Sequence, residues 1–192
     1  MNFLAHLFLS GDNEKIQVGN FIGDFVKGNK FEKYHHDIQL GIRLHREIDS
    51  FTDSHPVVMQ SKMRLRAKFR HYSPVIVDVF YDHFLAKNWS NFDSSDLKNF
   101  TLNFYEMISG YSSIIPDAVN NMLVFMKDKN WLYNYQSLEG IDRALTGMSR
   151  RTKFDSNMEV AIESLKENYN EFEDEFRLFF PELQHHTQSF LK

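Results

Sequence analysis

The segment from Val75 to Lys87 constrains the fold more than any other. Wound at 100° per residue it is apolar nearly all round, as expected of a helix buried on every side. Such a helix must be surrounded by other elements, and the rest of the chain supplies helices. Apolar residues recur at helical spacing along most of its 192 residues, and proline, which long helices exclude, occurs only four times. Asn2 is placed to cap a first helix through Leu9. After the turn Gly11-Asp12-Asn13 a second helix is predicted over 14–27, and a third over 36–51, punctuated by Asp53 to Pro56. Ser73-Pro74 reads as a cap with proline at the first helical position, opening the apolar helix. Further helices are predicted from Ser94 or Ser95 to Ser109, from Pro116 to Trp131, over 138–148, and over 156–179 before Pro181.

One stretch is ambiguous. From Lys62 to Arg70 apolar and basic residues alternate, a strand pattern by period alone. Its neighbours are helical and no partner strand is evident, so a helix is expected there, with Lys62, Arg66 and Arg70 in one stripe. No repeat, low-complexity tract or Gly/Ser linker interrupts the chain. The expected fold class is all-α, a single domain over 1–192 built as a bundle of about eight helices.

Composition excludes several chemistries. There is no cysteine, so disulfides, thiolate metal sites and a cysteine nucleophile are out, and any metal must sit on His, Asp or Glu. A formal net charge of -4 gives no global pull toward nucleic acid. No apolar run reaches membrane-spanning length, and Met1 to Ser10 is short, lacks a basic start and contains His6, a poor signal peptide. A cytoplasmic protein is expected, with no nucleic-acid or membrane partner. Charge is unevenly spread: Lys62, Arg64, Arg66, Lys68 and Arg70 occur with no intervening acid, whereas 155–192 is acidic.

The faces on which His and Asp fall are the informative part. In the 36–51 helix, Ile38, Leu40, Ile42, Leu44, Ile48 and Phe51 form one apolar arc. His45 and Asp49 lie inside it, one turn apart. An ionised carboxylate in such an arc is costly unless paired or metal-bound. In the apolar helix, Asp82 lies between Val75 and Asp78 and His83 between Val79 and Ile76, with Asp78 one turn before Asp82. An adjacent oxygen and imidazole on a buried helix suit one cation, and O/N donors suit Mn, Fe or Mg. His6 sits among Phe3, Leu4, Leu7 and Leu9. Asp24 sits one turn from Asn20, on a helix whose Gly19 and Gly23 permit close approach.

Each residue also has a bland reading. His6 alone is a core histidine bonded to a carbonyl, His45 with Asp49 a buried pair, Asp82-His83 a bridge between helices, and Arg46 a surface residue. His35-His36-Asp37 opens a helix, where Asp37 serves as a dipole partner. Several ionisable residues on the apolar faces of separate helices nevertheless favour one shared polar site.

Stretches of the chain resemble the acyl carrier protein phosphodiesterase family. They are Met1-Asn2-Phe3-Leu4-Ala5-His6-Leu7, the run from Gly19 to Gly28, Gly41 to Asp49, Thr52-Asp53, Asp78 to Leu85, Trp89, Gly147-Met148 and Phe180-Pro181. The resemblance implies an irregular HD-like helical fold. It also implies hydrolysis of the phosphodiester joining 4′-phosphopantetheine to a serine of holo-acyl carrier protein, part of prosthetic-group turnover in fatty acid biosynthesis. A divalent cation is implied with it, Mn being expected and Mg and Fe the alternatives. The buried pair here runs Asp82-His83, reversed from the usual HD order, so ligands are not copied from that pattern. The candidate cation ligands are His6, Asp24, His45, Asp49, Asp82 and His83. Arg46 is the candidate phosphate clamp, and Asp78 is expected to orient a histidine ligand. Asp24, His45 and Asp49 also stand as catalytic candidates. The basic stretch from Lys62 to Arg70, with Arg150, Arg151 and Lys153, is the candidate surface for the acidic carrier protein. Two other functions fit the same residues: hydrolysis of a nucleotide or other small phosphodiester, and a non-enzymatic helical interaction module.

Overall fold

The helical periodicity is realised along the whole chain. The computed structural model describes residues 1–192 and contains eleven α-helices, short 3-10 turns and no strand. They are α1 (Phe3–Phe8), α2 (Glu14–Phe21), α3 (His36–Ser54), α4 (Pro56–Phe69), α5 (Ser73–Lys87), α6 (Leu97–Ser109), α7 (Asp117–Asp128), α8 (Trp131–Asn134), α9 (Leu138–Ser149), α10 (Ala161–Glu167) and α11 (Tyr169–Phe190). Eight of these run to eight residues or more. None is long and apolar enough to cross a membrane.

Helix α5 stands at the centre, as its all-round apolar surface demands, and packs against α1, α4, α9 and α11. Phe80, Tyr81 and Phe84 of α5 meet Phe172, Phe176, Phe179 and Tyr169 of α11 in tilted and edge-on ring pairs. The ambiguous basic stretch is helical. Val58, Ser61, Lys62, Leu65 and Phe69 of α4 are buried at spacings of three and four, which is the helical period. The helix stops where Arg70 takes a positive φ of 52°.

Several boundaries differ from the sequence expectation, each for a local reason. The second helix ends at Phe21, not residue 27. The Asn20 carbonyl, which a longer helix would offer four residues on, accepts a hydrogen bond from His45 Nδ1 at 2.8 Å. A 3-10 turn, Gly23–Phe25, follows. Asp96, not Ser94 or Ser95, caps α6, its carboxylate accepting from the Asn99 amide at 3.1 Å. Ser73 is the first helical residue of α5, and its hydroxyl donates back to the Arg70 carbonyl. Helix α7 ends at Asp128, because Asn130 turns left-handed and caps α8 as a separate element. The predicted 156–179 helix breaks at Asn168, and α11 then runs through Pro181 to Phe190. A proline inside a helix costs about 3 kcal/mol. Phe179, Phe180 and Leu183 are each fully buried around it and contribute about 1.5–3 kcal/mol apiece, so burial wins.

Two contacts position the functional residues. Helices α2 and α3 cross in backbone contact: a Cβ at Gly19 would lie 2.1 Å from the Ile38 carbonyl oxygen, and one at Gly41 2.2 Å from that of Ile16. Only glycine fits either position. The second contact gives Asp82 a place in the fold. Its carboxylate accepts from the backbone amides of Leu4 (2.7 Å), Asn2 (3.3 Å) and Ala5 (3.3 Å), so α5 caps α1. Asn2 occupies the cap position, but its own side chain makes no capping bond. Burial raises the Asp82 carboxyl to about 7, against the opposing pull of the three amides.

Asp82→Ala leaves those amides without their acceptor. It is expected to cost about 3 kcal/mol and to lower the thermal midpoint by roughly 6–12 °C, read by a circular dichroism melt. An unchanged midpoint removes the capping role.

Candidate active site

The crossing of α2 and α3 delivers Asn20 beneath two imidazoles. His6 comes from α1 and His45 from α3, and their rings stack with centroids 4.1 Å apart and planes 22° from parallel. Asn20 is fully buried. Its amide nitrogen donates to the His6 carbonyl and to Ser10 Oγ, both at 2.8 Å, which turns its amide oxygen toward His6 Nδ1, also at 2.8 Å. That nitrogen must therefore carry a proton. His45 Nδ1 likewise donates to the Asn20 carbonyl. One residue thus sets the orientation of both rings, and both Nε2 atoms face the same place.

Asp49 lies there. Its carboxylate is 3.2 Å from His6 Nε2 and 3.2 Å from His45 Nε2. Ligand atoms of His6, His45 and Asp49 all fall within 4.8 Å of one another. Asp24, on the 3-10 turn after α2, reaches His45 Nε2 at 3.2 Å from the open side, its own side chain 69% exposed. The turn can approach this closely because Gly23 lies against the imidazole; a Cβ there would be 2.3 Å from the His45 ring.

The electrostatics follow from burial and pairing. Burial and the neighbouring His45 both hold His6 below the usual histidine range. Burial also opposes charge on His45, yet the carboxylates of Asp24 and Asp49 overcome it and raise that imidazole to about 9. Burial disfavours the Asp49 anion, but hydrogen bonds from His45 and His6 hold its carboxyl well below the ordinary range. The hydrogen bond from His45 lowers Asp24 as well. His6 is the telling member. With Nδ1 committed to the Asn20 amide oxygen, its Nε2 faces two further oxygens, the Met1 carbonyl at 3.1 Å and Asp49 at 3.2 Å. Such an arrangement is satisfied by a proton on Nε2 or by a cation bound between these atoms, and the Met1 ammonium, 3.9 Å from Asp49, adds positive charge nearby. Two imidazoles and a carboxylate, with a second carboxylate at the rim, fit a divalent cation such as Mn or Fe. Their Nδ1 atoms are held as metal-bound histidines usually are.

The other sequence candidates lie elsewhere. Asp82 is spent on capping α1. His83 uses both ring nitrogens, Nδ1 with the Tyr135 carbonyl at 2.8 Å and Nε2 with the Tyr169 hydroxyl at 2.7 Å. The adjacent pair on the buried helix therefore ties α5 to α1, to Tyr135 just after α8, and to α11. Asp78 contacts the Met1 nitrogen at 3.0 Å rather than a histidine. Arg46 donates through Nη2 to the carbonyls of Val26 (3.0 Å) and Gly28 (2.8 Å) and lies over the Phe31 ring, so it braces the segment that follows Asp24. In the basic stretch, Lys62 is buried and paired with Asp53 at 2.7 Å. Arg64 makes a two-pronged pair with Glu175, both bonds 2.8 Å. Arg66, Lys68 and Arg70 are exposed. Arg150 is exposed, and Arg151 donates to the Gly147 carbonyl. Asn20 is the residue that sequence reasoning missed. It was visible only as a polar residue one turn before Asp24, and nothing in that spacing reveals that its amide faces His6 on another helix.

Comparison with known proteins finds relatives over most of the chain. The family model described as acyl carrier protein phosphodiesterase matches residues 1–183. A protein named acyl carrier protein phosphodiesterase from Photorhabdus laumondii is 33% identical over 182 residues, covering 94% of this chain and 92% of its own. Proteins of the same name from Pectobacterium atrosepticum and an Escherichia coli strain of serotype O6:H1 are 33% and 34% identical, each covering 95% of both chains. No solved structure matches. With residues 1–183 of its 192 matched by the family model, the chain belongs to the acyl carrier protein phosphodiesterase family.

Proposed function

We propose that this protein is a metal-dependent phosphodiesterase that hydrolyses the bond between 4′-phosphopantetheine and the serine of holo-acyl carrier protein. The products are apo-acyl carrier protein and 4′-phosphopantetheine, as required for prosthetic-group turnover in fatty acid biosynthesis. The names of the relatives support the substrate. The observation that carries the chemistry is the convergence of His6, His45 and Asp49, with both imidazoles oriented by Asn20.

His6, His45 and Asp49 would hold the cation, Mn in this reading, and Asp24 would complete its surroundings from the solvent side. A bound cation of this kind lowers the pKa of a bound water and neutralises phosphodiester oxygens. The protein's own groups do the rest. Asn20 accepts from both Nδ1 atoms, so a cation would displace protons only from the Nε2 side and meet the lone pairs of both Nε2 atoms. Asp24, ionised by its contact with His45 and exposed, is placed to accept a proton from the attacking water. Arg46 acts as a positioning residue, fixing the backbone of Val26 and Gly28 and hence the turn that carries Asp24. Carrier docking falls to Arg66, Lys68 and Arg70 on α4, with Arg150 and Lys153 as a second patch. Lys62 and Arg64 are already engaged within the fold.

Intact mass of holo-acyl carrier protein, incubated with purified protein and Mn, tests the reaction. Wild type is expected to remove the prosthetic-group mass, and Asp49→Asn to slow this by about 100-fold or more through loss of the charged ligand. A carrier left intact by folded, Mn-loaded wild type sinks the substrate assignment.

Asn20→Ala removes the acceptor of His6 Nδ1 without touching a ligand atom. Mn affinity, measured by calorimetry, is expected to fall about 10–100-fold; undiminished affinity contradicts its orienting role.

Replacing Arg66 and Arg70 together with Glu is expected to raise KM for the carrier about tenfold or more at low salt with little change in kcat, because rim charges act mainly on association. An unchanged KM rules out α4 as the docking face.

A further inference from the structure

A cavity of about 450 Å³ lies between α8 and α9, and none of the cluster residues lines it. That volume is in the range of sites that hold small molecules. Helix α9 has two faces. Ile141 and Leu145, with Leu138 and Met148, turn toward the core. Gly140, Arg143, Ala144 and Gly147, at helical spacings of three and four, line the cavity. Trp131 and Tyr135 supply the aromatic wall opposite.

Gly147 is the informative residue. A Cβ at Gly140 would lie 1.8 Å from the Asn134 carbonyl oxygen, so close packing of α8 requires glycine there. At Gly147 a Cβ would meet nothing within 4 Å, and its φ is not positive. Neither a close approach nor a turn calls for glycine, which is a poor residue for a helix interior. What its missing side chain provides is room in the cavity. The polar groups are equally specific. Arg143 is exposed and makes no ion pair within the protein. Lys129 has only an exposed pair with its neighbour Asp128, the kind that contributes little. The Asn134 amide nitrogen is occupied by the carbonyls of Lys129 and Asn130, which leaves its oxygen as an acceptor.

We propose that this cavity binds a chain-like amphipath with an anionic head. The head would sit on Arg143 and Lys129, the chain against Trp131, Ala144 and Gly147, and an amide of the chain would donate to Asn134. Two cations beside an apolar slot call for that combination of charge and apolar length. 4′-Phosphopantetheine, a phosphate monoester on an amide-containing chain, belongs to this class. It is also the product of the reaction proposed above, and the inference rests on that reading for its choice of probe.

Tryptophan fluorescence of the full chain, titrated with 4′-phosphopantetheine, tests the site, with pantetheine and inorganic phosphate as separate probes. A saturable change is expected, and its absence in Trp131→Phe assigns the signal to the cavity wall. Gly147→Leu, which fills the slot, and Arg143→Glu, a surface change that leaves the core intact, are each expected to weaken binding at least tenfold. Pantetheine and phosphate alone should each bind at least tenfold more weakly than the whole probe. No saturable change in wild type, or unaltered affinity in both variants, overturns the proposal. The carrier mass assay keeps the two ideas apart. A protein that strips the carrier but fails the titration refutes only the cavity site. One that binds the probe but leaves the carrier intact refutes only the hydrolase reading.

Discussion

Everything at the site depends on the near-contact of α2 and α3 at Gly19 and Gly41. Because no side chain separates the two backbones there, the end of α2 sits against the middle of α3. Asn20, the residue after Gly19, then offers its carbonyl to His45, four residues after Gly41. The same bond removes the acceptor that would have continued α2, so the chain turns and brings Asp24 to the other nitrogen of His45. One steric circumstance therefore ends a helix, sets a histidine tautomer and places a carboxylate. A methyl group at either glycine would push the helices apart by more than a hydrogen bond tolerates.

The third member of the cluster arrives by a different force. Helix α1 has only six residues, too few to be stable alone. It is held by its own amide groups on the Asp82 carboxylate and by burial of Leu4, Ala5 and Leu7. A buried carboxylate is expensive without donors, and three amides with the positive end of a helix supply them. His6 is thereby lowered onto Asn20 and Asp49. The acid on the central helix contributes to the site by fixing the element that carries a ligand, at a distance from the cluster itself.

The charge pattern divides in a similar way. The basic stretch of α4 is one run in the sequence but two surfaces in the fold. Lys62 and Arg64 are held in ion pairs with Asp53 and Glu175, whereas Arg66 and Arg70 stand exposed and outside any ion pair. Helical spacing places Lys62 and Arg66 one turn apart, but whether a given turn faces α3, α11 or water is set by packing. Pro181 makes the same point. By local preference it should end a helix, and the buried phenylalanines beside it outweigh that preference.

The sequence by itself determined the all-α class, the central buried helix, the absence of thiol chemistry and the anomaly of His45 and Asp49 inside an apolar arc. These are properties of periodicity and composition, which act within one helix and need no partner to be read. It also marked His6 and Asp24 as residues of interest, and it gave Asp82 and His83 equal standing with them, because all four share the signal of a polar group in apolar surroundings. Only the tertiary structure separated them. The burial of an ionisable side chain says that it must be satisfied, but not by what: for Asp82 the answer is three amides, for His83 a carbonyl and a hydroxyl, and for His6 and His45 the two oxygens of Asn20 and the carboxylate of Asp49. Those partners lie on different helices, and their meeting depends on crossing distances and rotations that no single helix encodes.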